Sequence, residues 1–264
     1  VLSQSGETLD TLEGLKEAKR NGAKVLAITN VVGSSIAREA DNVVYTWAGP
    51  EIAVASTKAY TTQMVILYLI AIDMAYKFGK MTREEYVQDI DDLYALRPLV
   101  EKMLTYNKQI KEIANVVKTS HSMFYLGRGL DFLIAVEGAL KSKEISYIHS
   151  EAFASGELKH GTIALIEEGV PVIINLTQES LIEKSISNIK EVAARGAYII
   201  AVATEGTPMI DEAANEVFYI PKVKDENTGF LTIIIHQLMA YYLSALKGLD
   251  VDKPRNLAKS VTVE

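Results

Sequence analysis

The 264-residue chain contains no cysteine. That absence excludes a disulfide scaffold, a thiol nucleophile and any thiolate-held metal, and it fits a reducing compartment. Basic blocks are missing too: 27 Lys plus Arg stand against 34 Asp plus Glu, a net charge of −7. Affinity for a phosphate backbone comes from clustered cations, so nucleic-acid binding is not expected. Long apolar runs are also lacking. The longest strongly apolar stretch, Met64 to Ile72, is closed by Asp73, well under the ~20 residues of a membrane span. The opening residues Val1, Leu2, Ser3 and Gln4 have neither the basic region nor the apolar core of a signal peptide. A start on Val points to processing, an internal fragment or upstream sequence. The expectation is a soluble, cytoplasmic protein without membrane contact.

What is present suits a packed fold. Hydrophobic residues at 48% and charged residues at 23% are globular proportions, which argues against disorder. Shifting the sequence by 174 positions aligns Gln4 with Gln178, Gly22 with Gly196, Ala23 with Ala197 and Ala27 with Ala201. Val43 then meets Val217, Tyr45 meets Tyr219, Gln63 meets Gln237, and Tyr68-Leu69 meets Tyr242-Leu243. The pattern agrees as well as the letters. Each copy reads apolar run, turn, helix, strand, short helix, strand, long apolar helix. Val25 to Thr29 and Tyr198 to Ala203 are continuous apolar strands after the Gly22 and Gly196 helix stops. Asn42 to Thr46 and Glu216 to Ile220 follow as a second strand pair.

Such strands alternating with helices predict α/β units, each a parallel sheet flanked by helices in three layers. The second copy is preceded by a strand, Ser122 to Gly127, and a helix from about Asp131 to His149. The first copy has no counterpart of either, so its opening strand and helix are expected to be missing. The implied division is a first domain at 1–80, a helical connector at 81–120, a second domain at 121–247 and a tail at 248–264. Pro98 is the connector's only breaker.

Four places carry candidate chemistry. Ser3-Gln4-Ser5-Gly6-Glu7-Thr8 lies between a strand and a helix, where hydroxyls, a Gly and unpaired backbone N–H groups suit a phosphate. An ordinary capping box, with Ser5 or Thr8 capping and Glu7 in the first turn, competes with that reading. The second copy has Thr177-Gln178-Glu179-Ser180 instead, and Glu179 would repel phosphate. Gly127-Arg128-Gly129 invites a dinucleotide reading, which fails because Phe132 occupies the third Gly position.

Glu137, Lys141 and Glu144 share one helical face. They are either a solvated ion-paired face or a clustered base, cation and carboxylate able to move a proton beside a carbonyl or imine. His160 sits in a Gly-flanked segment and is either a satisfied loop residue or an acid–base group. His121 and His236 read as structural, and His149 as a helix-end cation. No HExxH or similar metal spacing occurs. Lys259 is an ordinary surface lysine by composition, or, if enclosed, a Schiff-base amine for a ketone.

The stretches SQSGET, VASTKAY (Val54 to Tyr60), EGALKSKEISYIHSEAFASGELKHG (Glu137 to Gly161) and DKPRNLAKSVTVE (Asp252 to Glu264) together resemble the glucosamine-6-phosphate synthase family, in its C-terminal isomerase half. The resemblance covers essentially the whole chain. It implies two tandem sugar-isomerase domains, the first incomplete at its start. It also implies conversion of fructose 6-phosphate and ammonia to glucosamine 6-phosphate in amino-sugar biosynthesis, with no metal or redox cofactor.

Carried over by position, Ser3, Gln4, Ser5 and Thr8 would hold the phosphate, and Val54, Ser56 and Ala258 would contact the sugar. Lys259 would take the C2 carbonyl as a Schiff base. Glu144 would move the proton between C1 and C2, with Lys141 and Glu137 supporting its charge. His160 would assist ring opening and reach the neighbouring subunit of a homodimer, and Arg255 would gate the site. An N-terminal glutaminase domain would supply ammonia in the full-length protein. With no Cys, glutamine use is not expected of these residues alone. A free-standing phosphosugar isomerase or deglycase, and a non-catalytic phosphosugar-binding module, are the alternatives.

Overall fold

A computed structural model describes residues 1–259. The chain divides into two compact units, one of Val1–Asp92 with the segment from Asp252, the other of Leu93–Val251.

The first unit runs β1 (Leu2–Ser3), α1 (Leu9–Arg20), β2 (Leu26–Thr29), α2 (Ser35–Glu39), β3 (Asn42–Tyr45) and α3 (Lys58–Lys77). Its strands form one parallel sheet in the order β1-β2-β3. Leu12, Leu15 and Ala18 fall on one face of α1 and pack with Val25, Ala27 and Ile36, which closes the helix onto the sheet. Gly22 ends α1, with φ +81°, in the left-handed region that only Gly enters without strain. Helix α4 (Arg83–Leu104) begins in this unit and ends in the next.

The second unit continues with α5 (Asn107–Val117), β4 (Ser122–Gly127), α6 (Leu130–Ser146), β5 (His149–Ala154), β6 (Pro171–Leu176), α7 (Ile182–Ala193), β7 (Tyr198–Thr204), α8 (Ile210–Ala213), β8 (Glu216–Ile220) and α9 (Thr228–Leu246). Its sheet is parallel throughout, in the order β5-β4-β6-β7-β8. Every residue of β6 is buried, as expected for a central strand covered by helices on both faces. The fold is α/β, with parallel sheets flanked by helices.

Backbone support recurs at the 174-residue offset. Asp41 accepts the Val25 N–H at 2.8 Å, and Asn215 accepts the Ile199 N–H at 2.7 Å, at the start of corresponding strands. The Gly22 and Gly196 N–H groups bond the carbonyls of Lys19 and Ala193 in matching helix ends. Asp and Asn are isosteric here, and each offers the one acceptor oxygen the strand needs.

Three expectations are corrected. Pro98 does not break the connector but lies inside α4. The carbonyl it leaves without a helical donor belongs to Tyr94, which is 79% exposed, so water can take that role. The helix expected from Asp131 to His149 stops at Ser146, because Tyr147 turns left-handed at φ 59°. His149 therefore ends no helix. It opens β5 and pairs with Glu151 at 3.4 Å. Helices α3 and α9 are long and apolar enough, by length and composition, to cross a membrane, and most of α9 is buried inside its unit.

Helix α6 approaches α9 through one glycine. A Cβ on Gly138 would come within 2.8 Å of the His236 ring and 3.0 Å of Tyr125. His236 is fully buried against Tyr125, and neither of its ring nitrogens has a hydrogen-bond partner. Burial pushes its pKa down to about 3 from the ordinary 6.5. Between those values only the unfolded chain binds this proton, so stability is full above the upper value and falls as pH drops through the window. The urea midpoint is expected to decrease from about pH 7 to about pH 5, and His236→Leu to flatten that dependence. Equal pH slopes for the two proteins would contradict the buried neutral imidazole.

Candidate active site

In the first unit the chain turns sharply after β1. Ser3 is buried, its Oγ accepts the Gly6 N–H at 3.0 Å, and it lies 3.0 Å from Thr8 Oγ1. Ser5 Oγ accepts the Glu7 N–H at 3.2 Å. The Glu7 carboxylate accepts the Ser35 N–H at 2.9 Å, and hydrogen bonding from Ser35 holds its pKa below the usual carboxylate range. Gly6 stands at φ +67°, and a Cβ there would fall 2.0 Å from Ser34 Oγ, so the turn requires glycine.

The expected capping box does not form. Thr8 occupies the N-cap of α1 without a side-chain cap bond, and Glu7 serves α2 instead. Hydroxyls of Ser3, Ser5 and Thr8 remain beside a helix N-terminus, an arrangement suited to an anion. Gln4 is half-buried, and its Oε1 has no hydrogen-bond partner.

The same unit brings the tail to the segment after β3. Val54 N–H bonds the Asp252 carbonyl at 2.9 Å. Lys259 Nζ donates to the Ala53 carbonyl at 2.6 Å and lies 3.5 Å from Glu51 Oε2. Half-buried Val54 and Ser56 flank this contact, while Arg255 and Ala258 are exposed on the tail. The last part of the predicted tail, residues 260–264, lies outside the described residues. Glu51 escaped the sequence reading because 208 positions separate it from Lys259, and only the tail's return joins them.

In the second unit, α6 holds the charged cluster. Lys141 is buried, with Nζ 2.6 Å from Glu144 Oε2 and 3.5 Å from Glu137 Oε1. The shorter contact is an ion pair without hydrogen-bond alignment, since that oxygen has no hydrogen bond. Burial pushes the Glu137 carboxyl up, and Lys141 only partly opposes it. A solvated ion-paired face does not describe these residues: the side chains of Lys141, Glu137 and Glu144 are 6%, 14% and 22% exposed.

Asp131, in the first turn of α6, fixes the helix to the sheet. Its carboxylate accepts the Thr177 N–H at 2.8 Å and the Thr177 hydroxyl at 2.6 Å. The sequence reading missed this anchor, which carries no motif. His160 is exposed at the end of a 3-10 turn, Ser155–His160. Among the described residues no hydrogen bond or ion pair joins it to the α6 cluster.

Thr177 and Gln178, at the position matching the serine-rich turn, are internally satisfied. Gln178 Oε1 accepts the Leu130 N–H at 2.7 Å, filling the N-terminus of α6. A cavity of about 290 Å³ nearby is lined by Glu179, Glu183, Glu205 and Asp225 against a single Lys222, a poor setting for phosphate. A larger opening of about 510 Å³ meets Ser122 and Pro171, at the N-terminal ends of β4 and β6. Parallel sheets bind ligands at the opposite ends of their strands, and none of the candidate residues lines it.

Parallel sheets flanked by helices define an α/β class, and the chain belongs to the SIS domain family, whose model matches residues 1–73 and 117–247. Its curated relatives are more particular. It is 57% identical over its whole length to glutamine–fructose-6-phosphate aminotransferase (isomerizing) of Caldanaerobacter subterraneus, of which it covers 43%. It is 48% identical to the enzyme of the same name from Thermus thermophilus, of which it covers 44%. The chain thus spans less than half the length of these relatives. Among solved structures, the C-terminal domain of glucosamine-fructose-6-phosphate aminotransferase from Francisella tularensis matches with TM-score 0.91 and 39% identity, over 96% of this chain and 71% of that one. A glucosamine-6-phosphate deaminase from Thermotoga maritima shares the fold at TM-score 0.71 and 24% identity.

One cation between two carboxylates makes a sharp stability test. Lys141→Met leaves Glu137 and Glu144 half-buried without a counter-charge, and a loss of about 3–5 kcal/mol is expected by chemical denaturation. A change under about 1 kcal/mol would mean that solvent, not Lys141, satisfies the two carboxylates.

Proposed function

We propose that this chain is the isomerase half of a glutamine–fructose-6-phosphate aminotransferase, converting fructose 6-phosphate and ammonia to glucosamine 6-phosphate and water. The observation that carries the reading is the buried Lys141 flanked by Glu137 and Glu144, in a chain 57% identical to an enzyme of that name. The 1–80 and 121–247 segments act as two sugar-isomerase domains built on an internal repeat, joined by 81–120. The 248–264 tail contributes to the site.

An aldose–ketose shift needs an anion anchor, an electrophile at C2 and a base serving both carbons. Ser3, Gln4, Ser5 and Thr8 hold the phosphate, whose binding energy orients the reacting end. Val54, Ser56 and Ala258 contact the sugar. Lys259 forms an imine at C2 with loss of water, and ammonia then displaces the lysine amine. Glu144 removes a C1 proton to give the enolamine and returns it at C2, while the C1 hydroxyl loses its proton to become the aldehyde. Lys141 is the counter-charge for that carboxylate, and Glu137 supports Lys141. His160 assists ring opening from the neighbouring subunit of a homodimer, and Arg255 gates the site. A glutaminase domain in the longer protein supplies ammonia, and the enzyme works in the cytoplasm.

The test is turnover of fructose 6-phosphate by the full-length protein with ammonium supplied. Glu144→Gln and Lys259→Arg are each expected to lower conversion by about 10²–10⁴-fold, with phosphosugar binding retained by titration. Undiminished turnover in either variant removes that residue from the mechanism.

A further inference from the structure

We infer that Glu51 positions the Lys259 amine and takes up its proton as the imine forms; the inference rests on the Schiff-base reading of Lys259. An ammonium cannot attack a ketone until it gives up a proton and exposes a lone pair. Two acceptors stand at Lys259 Nζ: the Ala53 carbonyl at 2.6 Å and Glu51 Oε2 at 3.5 Å. The amide carbonyl orients the amine but is far too weak a base to remove a proton. Among the described residues, Glu51 is the basic group within reach.

Its carboxylate is held for that task. Oε1 accepts both the Thr57 N–H at 2.7 Å and the Thr57 hydroxyl at 3.0 Å, so the group cannot swing away. That leaves Oε2 toward Lys259. The Glu51 side chain is 5% exposed and the Lys259 side chain 31%, so the carboxylate is shielded while the amine stays open to a ligand. A surface ion pair would show the reverse economy, with both groups in water and little energetic coupling.

The step balances. The Lys259 ammonium passes a proton to Glu51, and the freed lone pair forms the N–C2 bond as the carbonyl electrons move to oxygen. A proton shift from nitrogen to that oxygen gives the carbinolamine. The proton stored on Glu51 leaves with the hydroxyl as water. Glu51 ends as the carboxylate it began, and Lys259 ends as the protonated imine.

Borohydride reduction of the full-length protein with fructose 6-phosphate, read by peptide mass at Lys259, tests this directly. Wild type is expected to label, and Glu51→Gln to label at least about tenfold more slowly with unchanged phosphosugar affinity. Glu51→Ala is expected to regain labelling with added formate, a rescue that a purely structural glutamate would not show. Labelling of Glu51→Gln at the wild-type rate overturns the inference, as does failure of formate rescue in a folded Glu51→Ala protein. Should the Glu51 variants not fold, Thr57→Val keeps the charge and loses the hydroxyl anchor. A wild-type labelling rate there overturns the positioning role. No labelling of Lys259 in wild type overturns the Schiff-base reading itself, an outcome distinct from the others.

Discussion

A lysine ammonium enclosed between two carboxylates on one face of α6 is the constraint around which the second unit is organised. Removing such charges from water costs several kcal/mol per ion, and mutual attraction offsets this only with good geometry. The helix supplies the geometry, since the spacings 137–141 and 141–144 place all three side chains on neighbouring turns. One cation cannot fully neutralise two carboxylates, and the raised Glu137 pKa records its burial first and the neighbouring Glu144 charge second. Replacing a buried ion cluster by apolar residues of similar volume is often neutral or stabilising. The cluster is therefore a weak source of net stability.

Keeping that cluster in place requires a rigid α6, and independent contacts hold it at intervals. Asp131 binds Thr177 at the first turn, Gly138 lets the middle approach His236, and Ser142 hydrogen-bonds Tyr125 at 2.5 Å. The two units diverge at the comparable ends of β1 and β6. Gln178 fills the helix N-terminus next to it, whereas the matching turn in the first unit presents three hydroxyls beside α1. Strand starts and helix stops are alike in the two units, as Asp41 and Asn215 show. Support is shared, and the difference is concentrated where strands end and ligands bind.

Much of this was legible in the sequence. The central strands announce themselves because parallel strands buried on both faces must be continuously apolar, and β4 begins and ends where the pattern does. Strand β5 was not legible: His149–Ala154 mixes polar and small residues at a sheet edge, where no buried face enforces a pattern. The end of α6 was obscured for a similar reason, since Tyr147 adopts a left-handed cap conformation that its residue type does not signal. The α6 triad was visible because helical spacing is local. Glu51 and Asp131 were invisible because their partners lie far along the chain.

Those two carboxylates separate anchoring from chemistry. Both are held by a threonine through its backbone N–H and its hydroxyl. Asp131 accepts the Thr177 N–H on one oxygen and the Thr177 hydroxyl on the other, which pins the first turn of α6 to the end of β6. Glu51 receives both threonine bonds on a single oxygen, and its second oxygen faces a lysine. The first arrangement spreads the bonds over both oxygens and holds a helix against the end of a strand. The second immobilises the group and leaves basicity in reserve. A buried carboxylate with one oxygen restrained and the other directed at an amine is arranged to exchange a proton, because the restraint removes the entropy cost of orientation without consuming the lone pairs the transfer needs.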